Sequence, residues 1–175
     1  LVSGLLIAAP PTAVSAPAPD GADARPTKKV PTAIGTGGAV TTVDPEASAA
    51  GLKELKAGGN AVDAAVAAAA TLGVTEPYSA GIGGGGYFVY YNAKSGKVRT
   101  IDGRETAPSK MPQDAFIDPD TGKPYTFTPD LVTSGVSVGT PGTLATWEKA
   151  LGNWGTWSLA DALAPATKVA ERGFK

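Results

Sequence analysis

The sequence predicts a layered α/β (α+β) fold, and three features carry that prediction. Residues 64–72 read as a helix with no polar face, and a helix apolar all round has to be buried among other elements. Two runs rich in aromatic and β-branched residues, 87–91 and 97–101, flank a turn at 92–96 that ends in Gly96, the pattern of an antiparallel hairpin. A hydrophobic share of 42% over 175 residues, with 18% charged, is enough for one core. A helix buried on every side needs a second layer, and the paired strands supply it. A plain alanine-rich bundle is the alternative that those strands disfavour.

Residues 1–16 read as a partial secretory signal peptide. Leu1, Val2, Leu5, Leu6 and Ile7 lie in a short apolar run, and Val14, Ser15 and Ala16 fit a small-residue cleavage site. That run is too short to cross a bilayer as a helix. It predicts export, with the protein secreted, extracellular or periplasmic; a disordered leader rich in alanine and proline is the alternative. Residues 17–32, with Asp20, Asp23, Arg25, Lys28 and Lys29 among prolines, read as a flexible mature N-terminus. Residues 33–175 read as one incomplete α/β domain, without an internal repeat.

Within that domain, residues 39–43 form a β-branched run expected to be a buried strand. Asp44, Pro45 and Glu46 then open a helix, as a cap acceptor, a first-turn proline and an acid facing the dipole. Ala49, Leu52 and Leu55 are expected on its inner side, with Lys53, Glu54 and Lys56 off it, and Gly58 and Gly59 end it. Asn60 caps the apolar helix, with Asp63 three places on as in a capping box. After the hairpin, residues 118–122 mark a tight turn. Residues 133–138 are a further candidate strand, leading to Thr140 and Pro141 as cap and start of a helix through about Leu151. Ser158 and Asp161 open a last helix, expected to be interrupted near Pro165 and to close at Gly173.

Composition excludes several chemistries. A formal net charge of −1 gives no basic field for nucleic acid. With no histidine and no cysteine, Ser–His and Cys–His pairs, disulfides and zinc–thiolate sites cannot form within these residues. A hydrolase made from them needs a carboxylate pair, a lysine base, or an N-terminal amine exposed by cleavage.

The glycine-dense run 81–86 fits the G-x-G-x-x-G spacing, but a dinucleotide loop follows a strand and opens a helix, and here the order is reversed. What remains is a glycine turn required for tight packing or a loop lining a substrate cleft. Arg104, between a strand end and Pro108, is the leading binding candidate, since its planar fork matches a carboxylate. The alternative is a surface arginine paired with Asp102 or Glu105. Glu76 reads as a carboxylate accepting local backbone N–H bonds in preference to a general acid or base. Trp147, Trp154 and Trp157 read as packing, and Lys168, Glu171 and Arg172 as a solvated face.

Several motifs in order resemble the N-terminal part of the large subunit of the γ-glutamyltransferase (γ-glutamyltranspeptidase, glutathione hydrolase) family. They are residues 58–65, Glu76 and Pro77 with residues 81–85, Arg104 and Glu105 with Ala107 and Pro108, residues 139–142, and Gly173 with Phe174. The resemblance runs from about Ala33 to Lys175. It implies an N-terminal-nucleophile (Ntn) hydrolase, an αββα sandwich of which these residues are one part. The precursor cuts itself ahead of a threonine expected beyond Lys175, so no catalytic residue is expected here and the fragment alone is expected to be inactive. That threonine attacks the γ-glutamyl amide, its own α-amine serving as base, and the γ-glutamyl-enzyme passes to water or to an amino-acid or peptide acceptor. Glutathione is the expected donor, the small subunit the expected partner, and no cofactor or metal is implied. Carried over residue by residue, Arg104 would hold the donor's α-carboxylate, with Glu105 supporting it. Two other readings stay open: a β-lactam side-chain (glutaryl) acylase of the same fold, and a non-catalytic binding relative.

Overall fold

Asp44 starts the first helix for the reason its chemistry suggests. In the computed structural model, which describes residues 32–174, Asp44 Oδ1 accepts from the N–H groups of Glu46 and Ala47 at 2.9 and 3.2 Å. Helix α1 runs Pro45–Lys56 and ends where Ala57 and Gly58 donate back to the carbonyls of Lys53 and Leu55, with Gly58 at φ +97°. The signal-peptide reading of residues 1–16, and the flexible-terminus reading of 17–32 apart from Thr32, lie outside the described residues.

The inner face of α1 differs from expectation. Ala47, Ala50, Gly51 and Glu54 are buried, Ala49 is exposed, and Leu52 and Leu55 are half-buried. Small side chains let α1 lie close against the alanine-rich helix that follows, and this close approach outweighs the larger leucines. Glu54 is drawn in with them at 2% exposure, and its Oε2 has no hydrogen-bond partner. Burial pushes its carboxyl above the ordinary 4.5; Asp63 and Asp161 add to the rise and Lys53 opposes it. As pH climbs past 4.5 the unfolded chain loses this proton first, so stability falls until the folded group also ionises, and the penalty is complete above that point. Glu54→Leu should therefore stabilise the protein at neutral pH by about 1–3 kcal/mol, the cost of an unsatisfied buried polar group. Urea unfolding at pH 4 and pH 7 checks this, and a gain that does not shrink at pH 4 would rule out the ionisation part.

Helix α2, Ala61–Thr75, carries the expected capping box. Asn60 Oδ1 accepts from the N–H groups of Val62 and Asp63 at 2.7 and 3.3 Å, and Asp63 Oδ2 accepts from Asn60 N–H at 2.7 Å. Most of its apolar body is buried, packed on α1 and on three later helices. The expected burial on every side is not met: Ala65 is exposed and Ala69 and Leu72 are half-buried, which leaves one face of the helix open. A short helix α3, Pro77–Ala80, follows. Its first turn is closed by the carbonyl of Glu76, which accepts from Ser79 and Ala80. The Glu76 side chain makes no capping bond, so the local acceptor is the backbone and not the expected carboxylate.

The hairpin is present as β1, Gly86–Asn92, and β2, Lys97–Gly103, paired antiparallel with Gly86 opposite Gly103 and Phe88 opposite Ile101. Its inner face packs on helix α4, Thr143–Trp154. Trp154 stacks on Tyr90 with ring centroids 4.8 Å apart and lies 6.2 Å from Phe88. Tyr87, Val89, Tyr91 and Val98 point the other way and are exposed. Helix α5, Leu159–Arg172, is capped by Ser158, whose Oγ accepts from Asp161 N–H at 3.2 Å, and closes at Gly173. The architecture is one sheet layer with helices stacked on one face, in agreement with the α/β class. Among the described residues no helix is long and apolar enough to cross a membrane.

Four further sequence expectations are corrected. Residues 39–43 form no strand, nor do 133–138, where a short turn of helix, Gly135–Ser137, follows Ser134 instead. A β-branched run needs a partner edge to become a strand, and neither run pairs with another among the described residues. Thr140 does not cap α4: it bridges Thr106, and the helix starts at Thr143 behind Gly142 and continues to Trp154. Pro165 does not interrupt α5. It removes one helical hydrogen bond but is buried beside Ala162, Ala166 and Val169, and packing of that face holds the helix through it. The turn at residues 118–122 forms as expected, with Gly122 donating to Asp118 O at 2.8 Å.

Candidate functional site

A cleft of about 860 Å³ opens between α2, the glycine run, β1 and the start of α4. It brings together the two features singled out in the sequence, residues 81–86 and the Arg104–Glu105 pair. The glycine run turns the chain from α3 into β1, with Gly84 donating to Gly81 O at 3.1 Å. Because β1 follows it and no helix does, it lacks the geometry of a dinucleotide loop. Both remaining readings apply. Gly85 passes so near the end of β2 that a Cβ there would lie 2.4 Å from Gly103 O and 2.9 Å from Glu105 N, while Gly83 and Gly84 line the cleft.

Arg104 directly follows β2. Its backbone N–H donates to Asp102 Oδ1 at 3.1 Å, and its Nη2 lies 3.2 Å from Glu105 Oε2. The two side chains are 58% and 27% exposed. Asp102 thus organises the backbone and Glu105 faces the guanidinium, and this pairing coexists with the cleft position. Glu105 Oε2 is buried without an aligned hydrogen bond. A second carboxylate arriving in the cleft would meet an arginine that still presents donors to solvent.

Two hydroxyls that sequence reasoning did not single out also line the cleft. Thr143 Oγ1 donates to Gly84 O at 2.8 Å and Thr146 Oγ1 to Gly142 O at 2.8 Å. Each is committed to a backbone carbonyl, which leaves neither placed as a nucleophile with a base beside it. Their signal lay in the Thr140–Gly142 segment, whose glycine precedes α4 and points to a close approach. No group of three metal-ligating side chains occurs among the described residues.

The other candidates fall elsewhere. Trp147 and Trp154 belong to the core, as expected, and Trp157 donates its backbone N–H to Asp63. Arg172 is not merely solvated: it pairs with Glu46 of α1, and with Lys168 it edges a smaller groove of about 340 Å³ between α1 and α5.

A model of the gamma-glutamyltranspeptidase family matches residues 47–175. The glutathione hydrolase proenzyme of Bacillus subtilis (strain 168) is 47% identical over 141 residues, covering 81% of this chain and 24% of that protein. The acylase ACY 1 proenzyme of Pseudomonas sp. (strain V22) is 43% identical over 145 residues, covering 81% of this chain and 26% of that protein. Among solved structures, the gamma-glutamyltranspeptidase of Helicobacter pylori matches with a TM-score of 0.74 and 39% identity, over 82% of this chain and 40% of that one. The chain therefore spans about a quarter of the length of the curated relatives it matches.

Proposed function

Because this chain belongs to the γ-glutamyltranspeptidase family, we propose that it supplies the donor-binding wall of an Ntn hydrolase that transfers or hydrolyses γ-glutamyl groups, glutathione being the expected donor. The observation that carries this reading is the cleft itself, which sets an exposed guanidinium beside a glycine-lined floor. Arg104 holds the donor's α-carboxylate through paired N–H bonds, and Glu105 steadies the guanidinium from behind. The nucleophile is a threonine in the part of the relatives' length that this chain does not span. A threonine freed by self-cleavage carries its own base, an α-amine titrating near neutral pH, and this fits residues that include no histidine. Water, an amino acid or a peptide then accepts the acyl group, and the chain works together with the small subunit released by that cleavage. Residues 1–16 direct export.

In the complete protein, Arg104→Ala should weaken use of γ-glutamyl donors by about 2 kcal/mol or more in kcat/KM, the scale of a lost charged bidentate contact. Arg104→Lys should recover only part of that, because a point charge does not reproduce the fork. Self-cleavage should persist in both, read as two chains by intact mass spectrometry with threonine opening the second. Donor kinetics unchanged in Arg104→Ala would remove this residue from the site.

The acylase match supports a second reading. A glutaryl group also ends in a carboxylate, so Arg104 would serve it equally well. Turnover of a glutaryl amide exceeding that of γ-glutamyl p-nitroanilide would favour this reading.

A further inference from the structure

We infer that Thr143 is a positioning residue for the donor cleft, acting through the glycine run on Glu105 and Arg104. The inference rests on the reading of Arg104 as the carboxylate anchor. Helix α4 begins without a side-chain cap, and its first N–H groups need acceptors. The carbonyl of Gly84 supplies one. It accepts from the N–H groups of Gly142 and Thr143 at 3.1 and 3.2 Å and from Thr143 Oγ1 at 2.8 Å. Three donors on one carbonyl fix the orientation of that peptide, and the side-chain hydroxyl makes the shortest bond of the three.

What this peptide controls lies on its other side. The Cβ position of Gly84 is 3.4 Å from Glu105 Oε1, and that of Gly85 is 2.9 Å from Glu105 N and 3.0 Å from the carbonyl carbon of Arg104. Residues 84 and 85 thus form the surface against which the Arg104–Glu105 segment rests. Glu105 Oε2 in turn stands 3.2 Å from the Arg104 guanidinium. Loosening the hold of Thr143 on Gly84 gives this surface room to move, and the guanidinium moves with the carboxylate that faces it. Thr143 need not touch the donor to alter how the donor is held.

The test uses the complete, self-cleaved enzyme and γ-glutamyl p-nitroanilide. Thr143→Val removes the hydroxyl and leaves both N–H bonds to Gly84 in place. It should raise the donor KM about five- to tenfold, the range of one lost hydrogen bond, with kcat changed less than about twofold. Thr143→Ser should restore the KM. In an Arg104→Ala background Thr143→Val should add little, since the group it positions is gone. Thr143→Ala keeps the test open should the valine variant not accumulate. If Arg104→Ala raises the KM but the Thr143 variants do not, or if the two effects simply add, the positioning role is overturned while the anchor stands. If Arg104→Ala leaves the KM unchanged, the anchor reading falls and this inference falls with it.

Discussion

Replacing Asp63 by alanine is expected to cost the folded protein about 3 kcal/mol or more, because one fully buried carboxylate joins two parts of the chain. Asp63 is 0% exposed. Its Oδ2 accepts from Asn60 N–H and Thr156 Oγ1 at 2.7 Å each, and its Oδ1 from the N–H groups of Thr156 and Trp157 at 2.9 and 3.1 Å. Hydrogen bonds to a charged acceptor are each worth roughly 1.5–3 kcal/mol, and removal strands the donors as well. Asp63→Asn should be milder but still destabilising, since an amide turns two donor hydrogens toward groups that are themselves donors. Burial alone would raise the Asp63 carboxyl, but the N–H groups of Asn60, Thr156 and Trp157 and the Thr156 hydroxyl outweigh it and hold it below the ordinary 3.8. A depressed folded value contributes stability that is present above 3.8 and lost as pH falls through the folded value. Urea unfolding at neutral pH should give the full loss for Asp63→Ala, and the gap to wild type should narrow in acid. A loss under about 1 kcal/mol would mean that solvent or other acceptors replace the carboxylate.

Asp63 also marks how far the sequence could be read. Its capping box with Asn60 was legible, because that motif is local and its residues are three apart. Its reach to Thr156 and Trp157 was not, since no local pattern says which loop will return to a helix start. The hairpin was legible for the same reason as the box: alternating aromatic and β-branched residues around a glycine turn need only each other. Residues 39–43 and 133–138 also carry β-branched residues, though no aromatics, but find no partner edge in the described structure, and strand formation depends on that partner. Glu54 was expected on the outer side of α1 from its charge, and close packing of Ala47, Ala50 and Gly51 carried it inside. In the site, Arg104 and the glycine run each stood out from their neighbours. That they share one cleft, and that Thr143 ties the run to α4, follows from contacts 59 residues apart in the chain.

Gly103→Ala should have the other large effect, because the new methyl group has nowhere to go. Its position would lie 1.8 Å from Thr146 Oγ1, 3.0 Å from Thr146 Cβ and 3.0 Å from Gly86 O. Thr146 cannot easily withdraw: it is buried, and its hydroxyl donates to Gly142 O at 2.8 Å. The Gly103 carbonyl is equally confined, 2.4 Å from the Cβ position of Gly85 and 2.2 Å from that of Gly142. The strand end must therefore shift, and Arg104 is the next residue along it. Overpacking of this kind costs about 1–3 kcal/mol and more when backbone has to move, so about 3 kcal/mol is expected by urea unfolding. Since the displaced segment carries the proposed carboxylate anchor, the donor KM should rise in parallel. Thr146→Ala in the same chain removes the nearest atom of the clash and should return at least about 1 kcal/mol relative to the sum of the single changes. Strictly additive losses would show that the strain is taken up by Gly86 or by the strand itself, and that α4 does not set the position of Arg104.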